Sequence, residues 1–88
     1  MIAEFRRSFL RDLRTIRDAE TLSRIKQNIE QIEAASSLSD VSNMTKLQGG
    51  GNFYRVRVGD FRMGLILNGE TIVFVRCLHR RDIYRYFP

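Results

Sequence analysis

Hydrophobic residues in the first third of the chain recur every three or four positions, which is the period of an amphipathic helix. The first group with this spacing is Phe5, Phe9, Leu13 and Ile16, with Leu10 beside it. The second group is Leu22, Ile25, Ile29 and Ile32. Asp18 precedes the second group as a candidate N-cap. The pattern predicts a helical hairpin, and Met1–Phe5 is either a short edge strand or the lead into the first helix.

From Phe53 onward the hydrophobic period changes to two, which is the period of a β-strand. The predicted strands are Phe53–Val58, Phe61–Leu67 and Glu70–His79. Asn68-Gly69 predicts a type I′ turn, because both central residues of that turn need a positive φ. Gly59-Asp60 predicts a second two-residue turn. The strands therefore form an antiparallel meander that the helical hairpin can cover.

Carrying the strand register across both turns sorts the side chains into two faces. The expected core face holds Tyr54, Val56, Val58, Phe61, Met63, Leu65, Leu67, Ile72, Phe74 and Leu78, with Arg76 as its only charge. The expected second face holds Arg55, Arg57, Arg62, Gly64, Ile66, Thr71, Val73, Val75, Cys77 and His79. One β-bulge would shift the parity downstream and move His79 to the other face.

The remaining segments contain no further domain. Ala34–Lys46 is polar and breaks the helical period, so we interpret it as a connection with room for one helical turn. Gly49-Gly50-Gly51 lacks the Lys-Ser/Thr that completes a P-loop, and we expect it to lead flexibly into the first meander strand. A length of 88 residues fits one domain spanning residues 1–88.

The formal net charge of +5 is concentrated in the second half of the chain. Residues 1–44 hold seven basic and seven acidic residues, whereas residues 45–88 hold eight basic and three acidic ones. The basic half is the predicted meander, which indicates a nucleic acid or an acidic protein as partner.

Arg57 and Arg62 are expected to face each other across the first turn, where like charges are destabilising. No acidic residue of the predicted strands shares their face, so the pair is suited to a phosphate, whose geometry matches the forked guanidinium donors. The alternative is that these arginines are solvated charges on an open sheet. His79, expected on the same face, is the first candidate for proton transfer, because only histidine has an ordinary pKa near neutrality.

The segment after His79 interleaves arginines with aromatic residues, a pattern that can hold phosphates and stack bases. We expect Tyr84 to face the basic surface. The alternative is a terminal turn whose Ile83 and Phe87 pack onto the sheet, and both interpretations can hold together.

Several classes of protein are disfavoured by composition. One cysteine allows no internal disulfide, which fits the cytoplasm, and one cysteine with one histidine cannot form a standard zinc site. No apolar run is long enough to span a bilayer, and charged residues from Glu4 onward argue against a signal peptide. We therefore expect no metal, no other cofactor and no membrane partner.

Three stretches together resemble the RelE/ParE superfamily of bacterial and archaeal toxins, and the resemblance covers nearly the whole chain. They are Lys46-Leu47, Tyr54–Arg62 and His79–Tyr84. The resemblance implies an α+β fold, with an N-terminal helical hairpin packed on a curved antiparallel β-sheet. It also implies a toxin of a type II toxin–antitoxin system, neutralised by a cognate antitoxin. RelE-type members cleave mRNA in the ribosomal A site, whereas ParE-type members poison DNA gyrase.

We favour the RelE-like branch, with mRNA and the ribosome as partners and DNA reached only indirectly through the antitoxin. The expected catalytic residues are Arg57, Arg62, His79, Arg80 and Tyr84, and the expected RNA- or phosphate-binding residues are Arg55, Lys46 and Arg81. The rival functions are a ParE-like gyrase inhibitor and a non-catalytic nucleic-acid-binding module.

The chain departs from the family pattern in two ways. The first strand is short or missing, and the chain ends soon after Tyr84, which shortens the terminal helix. In addition, Arg55 and Arg57 stand where the best-known RelE members carry lysine, so the charge is kept but a proton-transfer role is not.

Overall fold

The computed structural model describes all residues 1–88. The strands are β1 (Ile2–Phe5), β2 (Met44–Lys46), β3 (Phe53–Val58), β4 (Phe61–Asn68) and β5 (Thr71–His79). The helices are α1 (Arg7–Thr15), α2 (Ala19–Ala34) and the single turn α3 (Ile83–Tyr86), and Leu38–Asp40 form a 3-10 turn. None of the helices has the length and apolarity needed to cross a membrane.

The five strands form one sheet in the order β1-β5-β4-β3-β2. β1 runs parallel to β5, and every other neighbouring pair is antiparallel. The α+β class and the helical hairpin are confirmed. The sheet is mixed and not purely antiparallel, however, because the N-terminal edge strand β1 runs parallel to β5.

The helical hairpin and one face of the sheet enclose the hydrophobic core. Its fully buried side chains include Phe9, Ile25, Ile32, Val56, Met63, Leu65, Ile72, Phe74 and Cys77. Of the predicted helical positions, Phe9, Ile16, Ile25 and Ile32 are buried, and Leu13, Leu22 and Ile29 are half-buried against the core. Leu10 is 43% exposed, and Phe5, which lies in β1 and not in a helix, is 41% exposed.

The two hairpin turns differ in how well the sequence predicts them. Val58 pairs with Phe61 across Gly59-Asp60, as expected. The second turn is Gly69-Glu70 rather than Asn68-Gly69, because Asn68 pairs with Thr71. Gly69 has a φ of +62° and no non-glycine residue has a positive φ, so glycine takes the first central position as in a type II′ turn. Residues of β4 therefore pair with β5 residues two positions later than predicted. A shift of two keeps each side chain on its predicted face as far as Phe74.

A β-bulge then changes the faces of the second half of β5. Leu65 pairs with Phe74, but the preceding Gly64 pairs with Arg76, so Val75 is an extra residue on β5. An extra residue reverses the alternation of every side chain that follows it. The uninterrupted register predicts Arg76 on the core face. The bulge instead places it on the opposite face.

The side chains beyond the bulge are accordingly on faces opposite to those predicted. Cys77 pairs with Met63 and is buried in the core, and this burial raises the pKa of its thiol to about 12. Leu78 pairs with Arg62 and leaves the core face, and His79 pairs with Phe61 and leaves the second face. The predicted faces of Cys77, Leu78 and His79 are wrong for this one reason.

Helix α1 covers the part of β5 that β1 does not reach. The β1 pairing ends at Phe74, and the following backbone groups of β5 bond to α1 side chains instead. Ser8 Oγ donates a hydrogen bond to the carbonyl of Val75, and the Cys77 amide donates one of 2.9 Å to Asp12 Oδ2. These contacts satisfy an edge that would otherwise be open to another strand.

Candidate nucleic-acid interface

Four arginines of the sheet, Arg55, Arg57, Arg62 and Arg76, belong to the side that faces away from the helical hairpin. Arg76 is paired with Asp12, and we call the other three, Arg55, Arg57 and Arg62, the arginine face. Arg57 pairs directly with Arg62, as the sequence predicts, and it is exposed, while the other two are half-buried. Directly opposite residues have Cβ atoms about 4.5–5.5 Å apart, so their side chains leave from neighbouring points.

No carboxylate neutralises the arginine face. The structure has two salt bridges, Arg24 with Glu20 and Arg76 with Asp12, and neither involves Arg55, Arg57 or Arg62. A cluster of uncompensated guanidinium groups attracts anions and offers planar, forked donors for phosphate oxygens.

The three arginines differ in how firmly they are held. Nη1 of Arg62 donates hydrogen bonds of 2.8 Å to the carbonyl of Gly59 and 2.9 Å to that of Phe61, which ties it to the β3–β4 turn. The Arg57 side chain makes no hydrogen bond or ion pair within the protein. One guanidinium is thus fixed and its partner is free to meet a ligand.

The C-terminal segment packs on the same side of the sheet. Ile83 is fully buried and Phe87 is 5% exposed, with the Phe87 ring 5.8 Å from that of Phe53, edge to face. Gly64 makes room for this ring, because a Cβ at that position would lie 2.5 Å from the Phe87 ring. The prediction that Ile83 and Phe87 pack onto the sheet is confirmed.

This packing sets Tyr84 beside the arginine face. The guanidinium carbon of Arg55 lies 4.6 Å from the centre of the Tyr84 ring, which is the geometry of a cation–π contact. Tyr84 remains 70% exposed, so most of the ring is open to solvent. The structure therefore places an exposed aromatic ring beside the arginine face, as the sequence predicts.

His79 is not part of this arrangement. Its ring meets Phe61 edge to face at 5.8 Å, on the opposite side of the sheet from the arginine face. Its Nδ1 atom accepts hydrogen bonds from Arg81, at 3.2 Å from the backbone amide and 3.4 Å from Nε. His79 therefore braces the turn after β5.

The other expected phosphate ligands are dispersed. Arg80 is exposed, and its backbone amide donates a 2.8 Å hydrogen bond to the carbonyl of Asp60, which fixes the turn beside the arginine face. Lys46 pairs with Tyr54, a residue packed against the core, so Lys46 lies on the helical side of the sheet. The structure does not bring Lys46 together with Arg55.

Sequence reasoning missed two residues of this region. Thr45 pairs with Arg55 from β2, a strand of three residues that carries no usable periodic signal. Tyr86 is 53% exposed and lies over Arg76, with 5.3 Å from the guanidinium carbon to the ring centre. The contact of Tyr86 depends on the bulge, which nothing in the local sequence marks.

The chemistry of the interface is that of fixed positive charge and aromatic surface. No group of three or more His, Cys, Asp or Glu side chains is placed to hold a metal ion. Guanidinium groups can bind and stabilise phosphate oxygens, and the tyrosine can stack on a base.

Comparison with known proteins identifies the family. The family model of the ParE toxin of the type II toxin–antitoxin system, parDE, matches residues 3–84. The chain belongs to the RelE/ParE family of toxins. Toxin RelE3 of Methanocaldococcus jannaschii is 42% identical to it over 85 residues, which cover 96% of each protein. This identity places the toxin in the RelE-like branch.

Solved structures agree with this assignment. The toxin resembles a chain of the RelB–RelE antitoxin–toxin complex from Methanococcus jannaschii, with 40% identity, a TM-score of 0.81 and coverage of 97% and 99% of the two chains. In the archaeal RelE–RelB complex from Pyrococcus horikoshii the TM-score is 0.73 over 90% and 93% of the chains, and 19% identity limits that likeness to the fold. The toxin therefore has the RelE fold.

Proposed function

We propose that this toxin is an endoribonuclease that cuts mRNA in the A site of the ribosome and so blocks translation in the cytoplasm. The observation that supports the proposal best is that Arg57 and Arg62, neither of which forms a salt bridge, lie next to the exposed ring of Tyr84. Phosphate binding and base stacking are the two contacts that a single RNA strand offers.

The proposed reaction is an internal transfer at one phosphodiester. The 2′-oxygen attacks the adjacent phosphorus, a 2′,3′-cyclic phosphate forms, and the bond from phosphorus to the 5′-oxygen breaks. Water takes the proton of the 2′-hydroxyl, and water gives a proton to the leaving 5′-oxygen. Arg57 and Arg62 stabilise the negative charge that develops on the phosphorane oxygens.

The remaining residues orient the strand. Tyr84 stacks on a base next to the scissile phosphate, and its hydroxyl is the group best placed to contact the 2′-oxygen. Arg55 and Arg80 hold flanking phosphates. His79 transfers no proton in this proposal, because it lies across the sheet from Arg57. Arg81, whose Nε bonds to His79 Nδ1, and Lys46 lie outside this contact surface for the same reason.

In this proposal the ribosome holds the mRNA in place for cleavage. Arg57 is exposed on an open sheet face, so the toxin alone holds only one side of a strand. A strand already fixed in the A site loses little further translational and rotational freedom when it reacts. This saving in entropy is the main way in which orientation lowers a reaction barrier.

Primer-extension mapping of mRNA on programmed ribosomes tests this function. We expect cuts at A-site codons with the native toxin and loss of cutting in Arg57→Ala, which removes an exposed side chain without hydrogen bonds. Arg14→Ala is the matched control, because Arg14 is exposed on α1 and makes no ion pair. Intact mRNA with native toxin, or equal cutting by Arg57→Ala, would refute the proposal.

The match to the ParE model makes gyrase inhibition the second candidate function. A ParE-like toxin would not need Tyr84 or the arginine pair for catalysis. We expect no inhibition of DNA supercoiling by gyrase at concentrations of toxin that stop translation in an extract. Inhibition that survives Arg57→Ala would favour the ParE-like function.

We also propose a RelB-like antitoxin as partner, which the RelB–RelE complexes of similar toxins support. An apolar groove between α1 and α2 is available to it, lined by Phe5, Leu10, Leu13, Leu22, Ile25, Lys26 and Ile29. The exposed Arg6, which precedes α1, and the exposed Arg14 within it lie on either side of Leu10, so an acidic amphipathic helix suits the groove. Leu10→Glu should then abolish co-purification with the antitoxin without lowering mRNA cleavage.

A further inference from the structure

Helix α3 is a single turn of four residues, which is too short to be stable by itself. The buried side chains of Ile83 and Phe87 attach it to the sheet. Its two exposed rings meet arginines on opposite flanks, with Tyr84 over Arg55 and Tyr86 over Arg76. The position of the Tyr84 ring therefore depends on every contact that holds this one turn.

Arg76 is the better anchored of the two arginines. Its Nε and Nη2 atoms donate hydrogen bonds of 2.8 and 3.1 Å to the two carboxylate oxygens of Asp12. Asp12 is itself only 7% exposed and accepts a third hydrogen bond from the Cys77 amide. This forked, charge-assisted pair fixes the plane of the guanidinium on which Tyr86 rests.

We infer that Asp12, Arg76 and Tyr86 are positioning residues that hold α3 in place and so keep Tyr84 over Arg55. Tyr84 and Tyr86 are two residues apart on the same turn, so a rotation that releases one ring displaces the other. The bulge at Val75 makes this possible, because it turns Arg76 away from the core and toward α3. The effect on mRNA cleavage rests on the proposed function, whereas the effect on α3 does not.

Tyr86→Leu and Tyr86→Phe form the matched pair of variants. Phenylalanine keeps the ring over the guanidinium, and leucine removes it. Amide hydrogen exchange is measured at Arg85 and Phe87, whose amides bond to Asp82 and Ile83 within the turn. We expect exchange about threefold to tenfold faster in Tyr86→Leu and unchanged in Tyr86→Phe. Unchanged exchange in Tyr86→Leu would overturn the inference.

Two further readouts connect the anchor to Tyr84. Ring NMR signals of Tyr84, one of three tyrosines, should shift toward free tyrosine in Tyr86→Leu. Cleavage on the ribosome should fall in that variant and return in Tyr86→Phe. Faster exchange with unshifted Tyr84 signals would limit Tyr86 to a structural role and overturn the inference. If the native toxin does not cut mRNA, the proposed function fails, but the exchange and NMR results still decide this inference.

Asp12→Asn examines the far end of the anchor. Asparagine keeps an acceptor for the Cys77 amide but removes the charge that holds Arg76. We expect α3 exchange to rise while the amides of β4 stay protected, which separates local release from global unfolding. Protection of α3 equal to that of the native toxin would contradict the role of Asp12.

Discussion

The guanidinium group of Arg55 contacts the face of the Tyr84 ring, with 4.6 Å between the guanidinium carbon and the ring centre. The contact joins the middle of a strand to the C-terminal turn across 29 positions of sequence, from residue 55 to residue 84. It holds one side of the tyrosine while leaving 70% of it exposed, which suits the base stacking of the proposed function.

Substitutions of Tyr84 should separate its ring from its hydroxyl. Tyr84→Ala should raise the toxin concentration for half-maximal cleavage by roughly 5- to 150-fold, because stacking on one base is worth about 1–3 kcal/mol. Tyr84→Phe keeps the stack, so any loss in that variant measures the hydroxyl. The assay is cleavage of mRNA on programmed ribosomes. Equal activity of Tyr84→Ala and native toxin would show that the ring makes no contact with the RNA that matters for cleavage.

Removing one arginine of the facing pair should stabilise the fold while it reduces activity. Arg57→Gln relieves a like-charge contact worth about 0.2–1 kcal/mol, so its free energy of unfolding should rise by that amount in urea titration at low salt. In 1 M salt the gain should vanish, because charges are then screened within about 3 Å. Arg14→Gln, away from the arginine face, should change stability by less than about 0.5 kcal/mol. A less stable Arg57→Gln at low salt would contradict this prediction.

Gly64→Ala should destabilise the toxin through the Phe87 ring. An added Cβ would lie 2.5 Å from that ring, so the C-terminal segment has to move, at a cost of about 1–3 kcal/mol for overpacking. In a Phe87→Leu background the same substitution should cost less than half as much, because the rigid ring is gone. Urea unfolding of the four proteins in a double-mutant cycle measures the coupling. Additive costs would disprove the contact.

Acid titration should reveal the bond between Asp18 and Thr21. The Thr21 hydroxyl donates a 2.6 Å hydrogen bond to Asp18 Oδ2 and so lowers the pKa of Asp18 below its ordinary value of 3.8. A lowered pKa in the folded state gives stability above that ordinary value, which is lost as the pH falls through the folded pKa. In NMR titration, Thr21→Ala should move the pKa up toward 3.8, and Thr21→Ser should leave it unchanged. An unmoved pKa in Thr21→Ala would refute the assignment.

Periodicity was sufficient to predict the helices, the meander and the first hairpin register. Phe9, Ile25 and Ile32 are buried because a helical stripe of that spacing has to face the sheet. The contact of Arg57 with Arg62 is equally local, since a two-residue turn fixes its flanking pairs. These features depend on neighbours in sequence, which the pattern records directly.

The features that the sequence did not predict depend on distant partners. The extra residue Val75 fits where β5 changes its edge neighbour from β1 to α1, and no local motif encodes that exchange. The face of His79 follows from it, and so does the partnership of Arg76 with Asp12. β2 escaped prediction because three residues carry too little periodicity to distinguish a strand from a loop.

The parallel pairing of β1 with β5 also determines when the toxin can form. Ile2 lies beside Thr71, so nearly the whole domain separates two strands that must be neighbours. During synthesis the N-terminal strand leaves the ribosome first, and it has no strand to pair with until β5 emerges. Contacts between distant segments form late because loop closure has to precede them. A nascent toxin is therefore incomplete until its last strand has been translated and can pair with the N-terminal strand.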